Sequence, residues 1–247
     1  MKSSRQKNPM KNKKYRLQIL YEDHHILLAD KPPGLIVHPK DSEHSATLLN
    51  LVRDHLRRTG AWDAEDPNAF RPIPCNRLDR FTSGIVIFAK TREAMRIMNR
   101  KLQQREVMKR YRCIVLGKPK PASGKLEHYL LKNRDGTHVT VQKHPVRGSQ
   151  YACMEYRTIS VQGGRSLLEC RLITGRTHQL RAQLAAIGNP ILGDMRYGNL
   201  QQNQRYGKHH QMLCACEVTF SFQTDTGVLE SLRGKTFRTH WRLDLSF

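Results

Sequence analysis

The feature that most constrains the fold of this chain is an apolar run at residues 84–90, Gly-Ile-Val-Ile-Phe-Ala-Lys. The run is rich in β-branched residues and is continuous rather than alternating with polar ones. Such a run is typical of a strand that is covered on both faces. We therefore expect residues 84–90 to form one of the central strands of a sheet.

A carboxylate stands just before this strand. Residues 75–84 have the sequence Cys-Asn-Arg-Leu-Asp-Arg-Phe-Thr-Ser-Gly, which places Asp79 between Arg77 and Arg80. An acid at the start of a buried strand is held in a fixed position, so Asp79 is the candidate reactive residue. The spacing alone leaves a second interpretation open, in which Asp79 only pairs with Arg77 or Arg80 at the strand start.

The remaining patterns predict more strands than helices. Helix-like apolar spacing follows two N-cap candidates, Thr47 and Thr91; the first helix should end at Thr59-Gly60 and the second near Arg105. Strand-like patterns occupy 17–21, 26–29, 109–117, 126–131, 138–141, 151–159, 166–174 and 211–222. Because strands seldom alternate regularly with helices, we predict an α+β fold with a mixed, mainly antiparallel central sheet and flanking helices.

Two further segments carry candidate functional residues. In the strand at 109–117, alternation places Tyr111 on one side with Cys113 and Val115, and periodicity alone makes it an ordinary core residue. Residues 175–177, Gly-Arg-Thr, join a strand to a helix predicted over 177–187, and backbone amides and Arg176 could meet an anion there. A purely structural helix cap explains the same junction equally well.

The balance of charges calls for a polyanionic partner. The chain of 247 residues carries 43 Lys and Arg against 21 Asp and Glu, a formal net charge of +22. A surplus of that size indicates RNA or DNA first. An acidic membrane surface is the rival, but no apolar run has the length of a spanning helix and we find no lipid anchor signal. The basic stripe Arg92, Arg96 and Arg100 is expected to contact phosphates, with a solvated face as the alternative.

No metal site is predicted. The six cysteines are scattered without a Cys-x-x-Cys pair, and the twelve histidines are dispersed. Zinc ligands recur at paired spacings, so small core thiols are the favoured interpretation. With no signal peptide, these thiols indicate a reducing cytoplasm. Residues 1–14 are basic and lack an apolar core, so we expect a disordered arm in front of one catalytic domain over 15–247.

Three blocks of the sequence resemble one known family. They are residues 31–39, Lys-Pro-Pro-Gly-Leu-Ile-Val-His-Pro; 76–84, Asn-Arg-Leu-Asp-Arg-Phe-Thr-Ser-Gly; and 172–181, Leu-Ile-Thr-Gly-Arg-Thr-His-Gln-Leu-Arg. The middle block is similar to the signature of the RluA-type pseudouridine synthases, usually written His-Arg-Leu-Asp-x-x-Thr-Ser-Gly. The other blocks fall in the family's order, and the similarity covers roughly residues 17–222.

The resemblance implies an RNA pseudouridine synthase of the ribosomal large subunit type, with two subdomains that meet at a basic active-site cleft. It implies that Asp79 is the catalytic carboxylate and that Arg181 pairs with it. It further implies that Tyr111 and Leu180 lie beside the uracil ring and that Arg77 lies at the edge of the RNA. With Arg176 of the strand-to-helix junction, these residues form the predicted site.

The same resemblance sets the expected partners. Pseudouridine formation is an isomerisation in which no atoms are gained or lost overall, so no cofactor is expected. Ribosomal RNA is the first predicted substrate and transfer RNA the second. We expect a monomer without a bound metal.

The chain departs from the family pattern at two positions and leaves rival functions to consider. Asn76 replaces the signature histidine and Cys214 a histidine of a Leu-His-Ala segment, which bears on substrate docking rather than on activity. Many relatives carry an S4 RNA-binding module in front, which the short basic arm cannot build.

The competing class is a non-catalytic RNA-binding or ribosome-assembly protein, but Asp79, Tyr111 and Arg181 together favour an enzyme. A metal-dependent hydrolase would need clustered acids or histidines, which we do not find.

Overall fold

The computed structural model describes residues 15–38, 46–134 and 136–246. The predicted N-terminal arm lies outside these ranges. The strands are β1 (Ile19–Glu22), β2 (Ile26–Lys31), β3 (Ile73–Pro74), β4 (Ser83–Ala89), β5 (Val107–Leu116), β6 (Ser123–Lys132), β7 (Val139–Gln142), β8 (Gln150–Gln162), β9 (Arg165–Leu172), β10 (Leu213–Phe220) and β11 (Thr236–Arg238). The helices are α1 (Leu48–Arg58), α2 (Arg92–Gln103), α3 (Gln179–Ala186) and α4 (Leu200–Arg205), with a 3-10 helix at Gly227–Leu232.

The strands form one sheet of eleven. Its order is β1-β2-β4-β10-β5-β9-β8-β6-β7, and β3 and β11 pair with β4 and β10 outside this path. Neighbouring strands are antiparallel except for β4 and β10, which are parallel. The predicted α+β fold with a mixed, mainly antiparallel sheet is therefore confirmed.

Strand β4 is the predicted buried strand, and all of its residues are buried. It pairs with β2 on one side and with β10 on the other. Ile85 and Ile87 join a core cluster on one face. Val86 and Phe88 join the cluster that α1 covers on the opposite face. Burial on both faces accounts for the unbroken apolar sequence.

The opposite side of the sheet from α1 carries two helices. Val107 of β5 packs with Met98 of α2, and Tyr111 of β5 packs with Leu180 of α3. Residues an even number apart in a strand point to one face, so α2 and α3 both lie on this face. The β5 residue that lies between the two clusters on this face is Lys109.

The helix boundaries follow their capping residues. The Thr47 hydroxyl accepts a hydrogen bond from the N–H of Asn50 at 3.1 Å, and that of Thr91 accepts one from Ala94 at 3.3 Å. Both predicted N-caps are thus in place. The second helix ends at Gln103, earlier than predicted, because Arg105 has a left-handed φ of 62°. Helix α3 is also shorter than predicted, starting at Gln179 after a left-handed His178.

Four short elements were not predicted, namely β3, β11, α4 and the 3-10 helix. Helix α4 has the sequence Leu-Gln-Gln-Asn-Gln-Arg, which carries no apolar periodicity. β3 and β11 have only two and three residues and depend on their neighbours in the sheet.

Several properties of the described ranges bear on function. None of their helices is both long and apolar enough to cross a membrane. In the same ranges, no group of three or more His, Cys, Asp or Glu side chains is placed to hold a metal ion. All six cysteines are free thiols.

Candidate active site

The loop between β3 and β4 carries Asp79 and is held in place by a side chain. Asn76 accepts a hydrogen bond from the backbone N–H of Ile87 at 2.8 Å and donates one to the carbonyl of Ile85 at 3.3 Å. It therefore pairs with β4 as a neighbouring strand would, at the position where the family signature has histidine. The N–H of Thr82 donates to the carbonyl of Asp79 at 3.1 Å and closes the turn.

A buried lysine holds the same loop from the β2 side. Lys31 is fully buried, and its ammonium donates to three carbonyls, those of Pro32 at 2.9 Å, Leu35 at 2.8 Å and Arg80 at 3.0 Å. Burial lowers the pKa of Lys31 to about 7, while the charge of Asp79 acts in the opposite direction. Three carbonyl acceptors match the three donors of an ammonium group, so Lys31 fixes the backbone next to Asp79.

Arg181 joins Asp79 to a second carboxylate. Its Nη1 donates to Oδ2 of Asp79 at 2.8 Å. Its Nε and Nη2 donate to Oδ2 and Oδ1 of Asp194 at 2.6 and 2.9 Å. Asp194 also accepts from the backbone N–H groups of Arg196 and Tyr197. A guanidinium held by both oxygens of one carboxylate has a fixed orientation, so Asp194 aims Arg181 at Asp79.

The two buried members of this group support each other's charge. Burial acts to lower the pKa of Arg181, but the hydrogen bonds and charge of Asp194, followed by those of Asp79, raise it above its ordinary value. Burial acts to raise the pKa of Asp194, but the hydrogen bond and charge of Arg181 lower it overall. A permanent cation is therefore fixed beside Asp79.

Asp79 is the more accessible carboxylate. Its side chain is 32% exposed, against 0% for Asp194. Arg181 occupies Oδ2, whereas no described residue donates a hydrogen bond to Oδ1. Asp79 is thus fixed through one oxygen and available to a ligand through the other.

His178 is a second group beside Asp79, and it was not predicted as a site residue. Its Nε2 lies 3.9 Å from Oδ2 of Asp79. Its Nδ1 lies 2.9 Å from the hydroxyl of Tyr197, which itself accepts from the N–H of Val139 at 2.9 Å. Burial lowers the pKa of His178, so the ring is neutral at pH 7. The nearby carboxylate favours the tautomer with Nε2–H toward Asp79, in which Nδ1 accepts the Tyr197 proton.

Tyr111 and Leu180 lie in one core cluster, and Leu78, the neighbour of Asp79, packs against it. Tyr111 is 7% and Leu180 4% exposed. Burial, with a smaller contribution from the charge of Asp79, raises the pKa of Tyr111, so its hydroxyl stays protonated. The structure thus brings these two predicted residues together as an apolar wall beside the carboxylate.

The other two predicted site residues are not in contact with Asp79. Arg77 and Arg176 are exposed, and neither forms an ion pair with Asp79 in the described part of the chain. Arg176 instead donates from Nε to the carbonyl of Tyr151 at 3.1 Å. Contact of both arginines with RNA remains a prediction.

Solved structures share the overall fold. The chain superposes on the human protein RNA pseudouridylate synthase domain containing 4 with a TM-score of 0.69, at 21% identity. The superposition covers 91% of this chain and 88% of the human one. The fold is therefore that of a pseudouridylate synthase domain.

Sequence comparison is more specific. Residues 25–186 match the RNA pseudouridylate synthase family, and the chain belongs to that family. Ribosomal large subunit pseudouridine synthase D of Nitrosomonas europaea is 37% identical over 191 residues, which cover 74% of this chain and 50% of the relative. The mitochondrial tRNA pseudouridine(32) synthase of Saccharomyces cerevisiae is 31% identical over 185 residues, which cover 74% of this chain and 37% of the relative. This chain thus spans half or less of the length of these two curated relatives.

Proposed function

We propose that this protein isomerises uridines of structured RNA to pseudouridine, with Asp79 as the catalytic carboxylate. The observation that carries the proposal is that only one oxygen of Asp79 is bound. Arg181 donates to Oδ2 at 2.8 Å, and Oδ1 has no donor among the described residues. A purely structural ion pair gains most when both oxygens are satisfied and water is excluded. A carboxylate that is oriented and still accessible suits a reacting group.

The reaction breaks the bond between uracil N1 and ribose C1′, turns the base and joins C1′ to C5. Three roles are open to Asp79: attack on the ribose, attack on the base, or removal of a sugar proton. In each role the target uridine must leave its stack to reach the carboxylate. Tyr111 and Leu180 supply the apolar surface against which the extruded uracil packs.

Ribosomal RNA is the first proposed substrate and transfer RNA the second. The relative from Nitrosomonas europaea is named for the ribosomal large subunit and is more similar than the yeast relative that is named for tRNA. Pseudouridine mapping of total RNA from cells with and without the gene tests the choice. Sites lost from ribosomal RNA alone support it, and sites lost from transfer RNA alone reverse it. An unchanged map favours the alternative of a non-catalytic RNA-binding or ribosome-assembly protein.

The direct test is Asp79→Asn, which preserves the shape of the side chain and removes its charge. We expect tritium release from RNA that contains 5-tritiated uridine to fall below detection, while RNA affinity changes little. Asp54→Asn on the exposed surface of α1 is the matched control and should behave as the wild type. Undiminished release by the Asp79→Asn protein would show that another group performs the chemistry.

Arg181→Ala tests the support of the carboxylate. Removing the guanidinium leaves Asp194 buried and without its countercharge, so we expect a loss of about 3–5 kcal/mol in the free energy of unfolding together with lost turnover. Urea unfolding measures the first and tritium release the second. Full stability with lost turnover would instead mean that Arg181 acts on the substrate alone.

A further inference from the structure

A cavity of about 300 Å³ opens beside the candidate site. The C-terminal end of α2 and the start of β5 form one wall, and the end of β9 with residues 173–175 forms the other. None of the predicted site residues lines it. It nevertheless adjoins the site, because Lys109 precedes Tyr111 by two residues on the same face of β5, a distance of about 6.6 Å along the strand. Gly175 directly precedes Arg176.

Three basic residues line the cavity, namely Arg105, Lys109 and Arg171. Arg171 is held by Glu155 through two hydrogen bonds of 2.9 Å. In the described ranges, the side chains of Arg105 and Lys109 have no hydrogen bond or ion pair. Burial lowers the pKa of Lys109. A half-buried ammonium without an acceptor is unfavourable in the free protein, and an anionic ligand would supply the missing acceptor.

The wall that carries Arg105 is rigid. The next residue, Glu106, accepts from Nζ of Lys101 at 2.8 Å, and both side chains are almost completely buried. Lys101 also donates to the carbonyl of Thr224 at 3.0 Å. Arg105 itself has a left-handed φ of 62°. The guanidinium of Arg105 therefore extends from a backbone whose conformation is already fixed.

The opposite wall is equally constrained. The Thr174 hydroxyl accepts from the N–H of Cys153 at 2.8 Å and donates to Oε1 of Gln179 at 2.9 Å. The N–H of Arg176 donates to the same amide oxygen at 3.0 Å. These bonds hold Gly175 between two anchored neighbours.

Neither backbone strain nor crowding by the described residues requires a glycine at position 175. Its φ lies outside the left-handed region, and a Cβ at this position would meet no atom within 4 Å. Gly175 itself lines the cavity. A glycine that needs no special backbone conformation and lines a basic cavity allows a ligand to approach the backbone closely.

We propose that this cavity binds the nucleotide next to the target uridine, with its phosphate on Lys109 and Arg105 and its base against Leu102 and Leu172. The inference rests on the proposed function, since it places the RNA segment that leads to the target uridine beside Tyr111. A volume near the lower end of ligand pockets suits one extruded or single-stranded nucleotide and excludes a duplex.

Lys109→Met tests the phosphate contact. We expect RNA affinity to fall about tenfold, as for a lost charge-assisted hydrogen bond. The slope of log affinity against log salt should become shallower by about 0.7, as for one lost phosphate contact on a single strand. Turnover at saturating RNA should be unchanged, so the effect appears in KM and not in kcat. Stability should not decrease, because the variant removes a half-buried cation that has no hydrogen-bond or ion-pair partner among the described residues. Lys118→Met, an exposed site beyond the other end of β5, is the matched control.

Gly175→Ala tests the space without changing the charge. It should weaken RNA binding while leaving the salt slope as in the wild type. RNAs shortened by one nucleotide at a time from each side then locate the subsite. Wild type should lose affinity at one truncation, and Lys109→Met should show a smaller loss at that step, because Arg105, Leu102 and Leu172 remain.

Three results would overturn the inference: an unchanged affinity and salt slope for Lys109→Met, the same truncation profile in both proteins, or uridine monophosphate binding that Lys109→Met abolishes while RNA binding is unaffected. The last result would assign the cavity to a small nucleotide. If the proposed function were wrong, the wild type would release no tritium from any RNA. The comparison of RNA binding by the wild type and Lys109→Met would still test the cavity.

Discussion

At the scale of single residues, the position of His178 beside Asp79 leads to a prediction about activity. Its backbone is left-handed with φ of 53°, a conformation that asparagine tolerates well. His178→Asn should therefore fold normally while losing the reach to Asp79. We expect kcat for tritium release to fall, because the variant removes the imidazole that lies 3.9 Å from Oδ2 of Asp79, with RNA affinity retained.

The pH profile separates a role in positioning Asp79 from a role in the fold. Because burial lowers the pKa of His178, the neutral ring faces Asp79 at pH 7, and protonation at lower pH should change kcat in the wild type. That acid limb should be absent in His178→Asn. Tyr197→Phe, which removes the hydroxyl at Nδ1, should give a smaller loss of kcat. Unchanged kcat and an unchanged acid limb in His178→Asn would exclude the role.

The pairing of Asp79 with Arg181 could be expected from the sequence only through resemblance, since the two residues lie 102 positions apart. Local spacing instead suggested Arg77 or Arg80 as partners of Asp79, and neither fills that role. Asp194 and His178 were missed for the same reason. Their contacts arise where α3 meets two loops, and no local periodicity records such a meeting.

At the scale of elements, the ion pair of Lys101 and Glu106 joins the end of α2 to the start of β5. It leads to a prediction about the pH dependence of stability. The hydrogen bond from Lys101 is the largest of the contributions that lower the pKa of Glu106 to about 2, from an ordinary value of 4.5. The stabilisation is therefore complete above pH 4.5 and is lost as the pH falls toward 2. Urea unfolding of the wild type should show this decline, and Glu106→Gln should show a shallower one.

Glu230 provides the matched control for that experiment. Arg233 and Thr226 lower its pKa to about 2 as well, but its side chain is 60% exposed. Solvent screens such a pair, so Glu230→Gln should change the acid dependence of stability very little. Equal slopes for the wild type and Glu106→Gln would contradict the assignment of the acid-sensitive contact to α2 and β5.

Elements were predictable where a local physical rule determined them. Thr47 and Thr91 cap their helices because a hydroxyl satisfies a free N–H at a helix start, and β4 is apolar throughout because both of its faces are covered. Helix α4 could not be predicted, since its polar sequence is held by contacts such as that of Asn203 with the N–H of Gly193 at 2.7 Å. The early end of α2 depends on the left-handed Arg105, a conformation uncommon outside glycine.

For the whole molecule, the order of the sheet depends on contacts between distant parts of the chain. β10 lies between β4 and β5, parallel to the first and antiparallel to the second. Periodicity identifies strands and their buried faces, but it does not identify their neighbours. The insertion of β10 brings the Asp79 loop, which precedes β4, toward α3, which packs on β5. The candidate site is therefore a consequence of topology.

The net charge of the whole molecule leads to a prediction about its binding to RNA. With a formal charge of +22, many phosphates should be neutralised on binding, and each contact contributes about 0.7–0.9 to the salt slope. We expect affinity for a target RNA to fall at least about 100-fold between 50 and 200 mM salt. Fluorescence anisotropy at several salt concentrations measures this, and thermal unfolding in the same buffers controls for loss of the fold. Equal affinity at both salt concentrations would mean that the basic residues do not form the RNA-binding surface, and that the uridine is recognised through Tyr111, Leu180 and the base contacts alone.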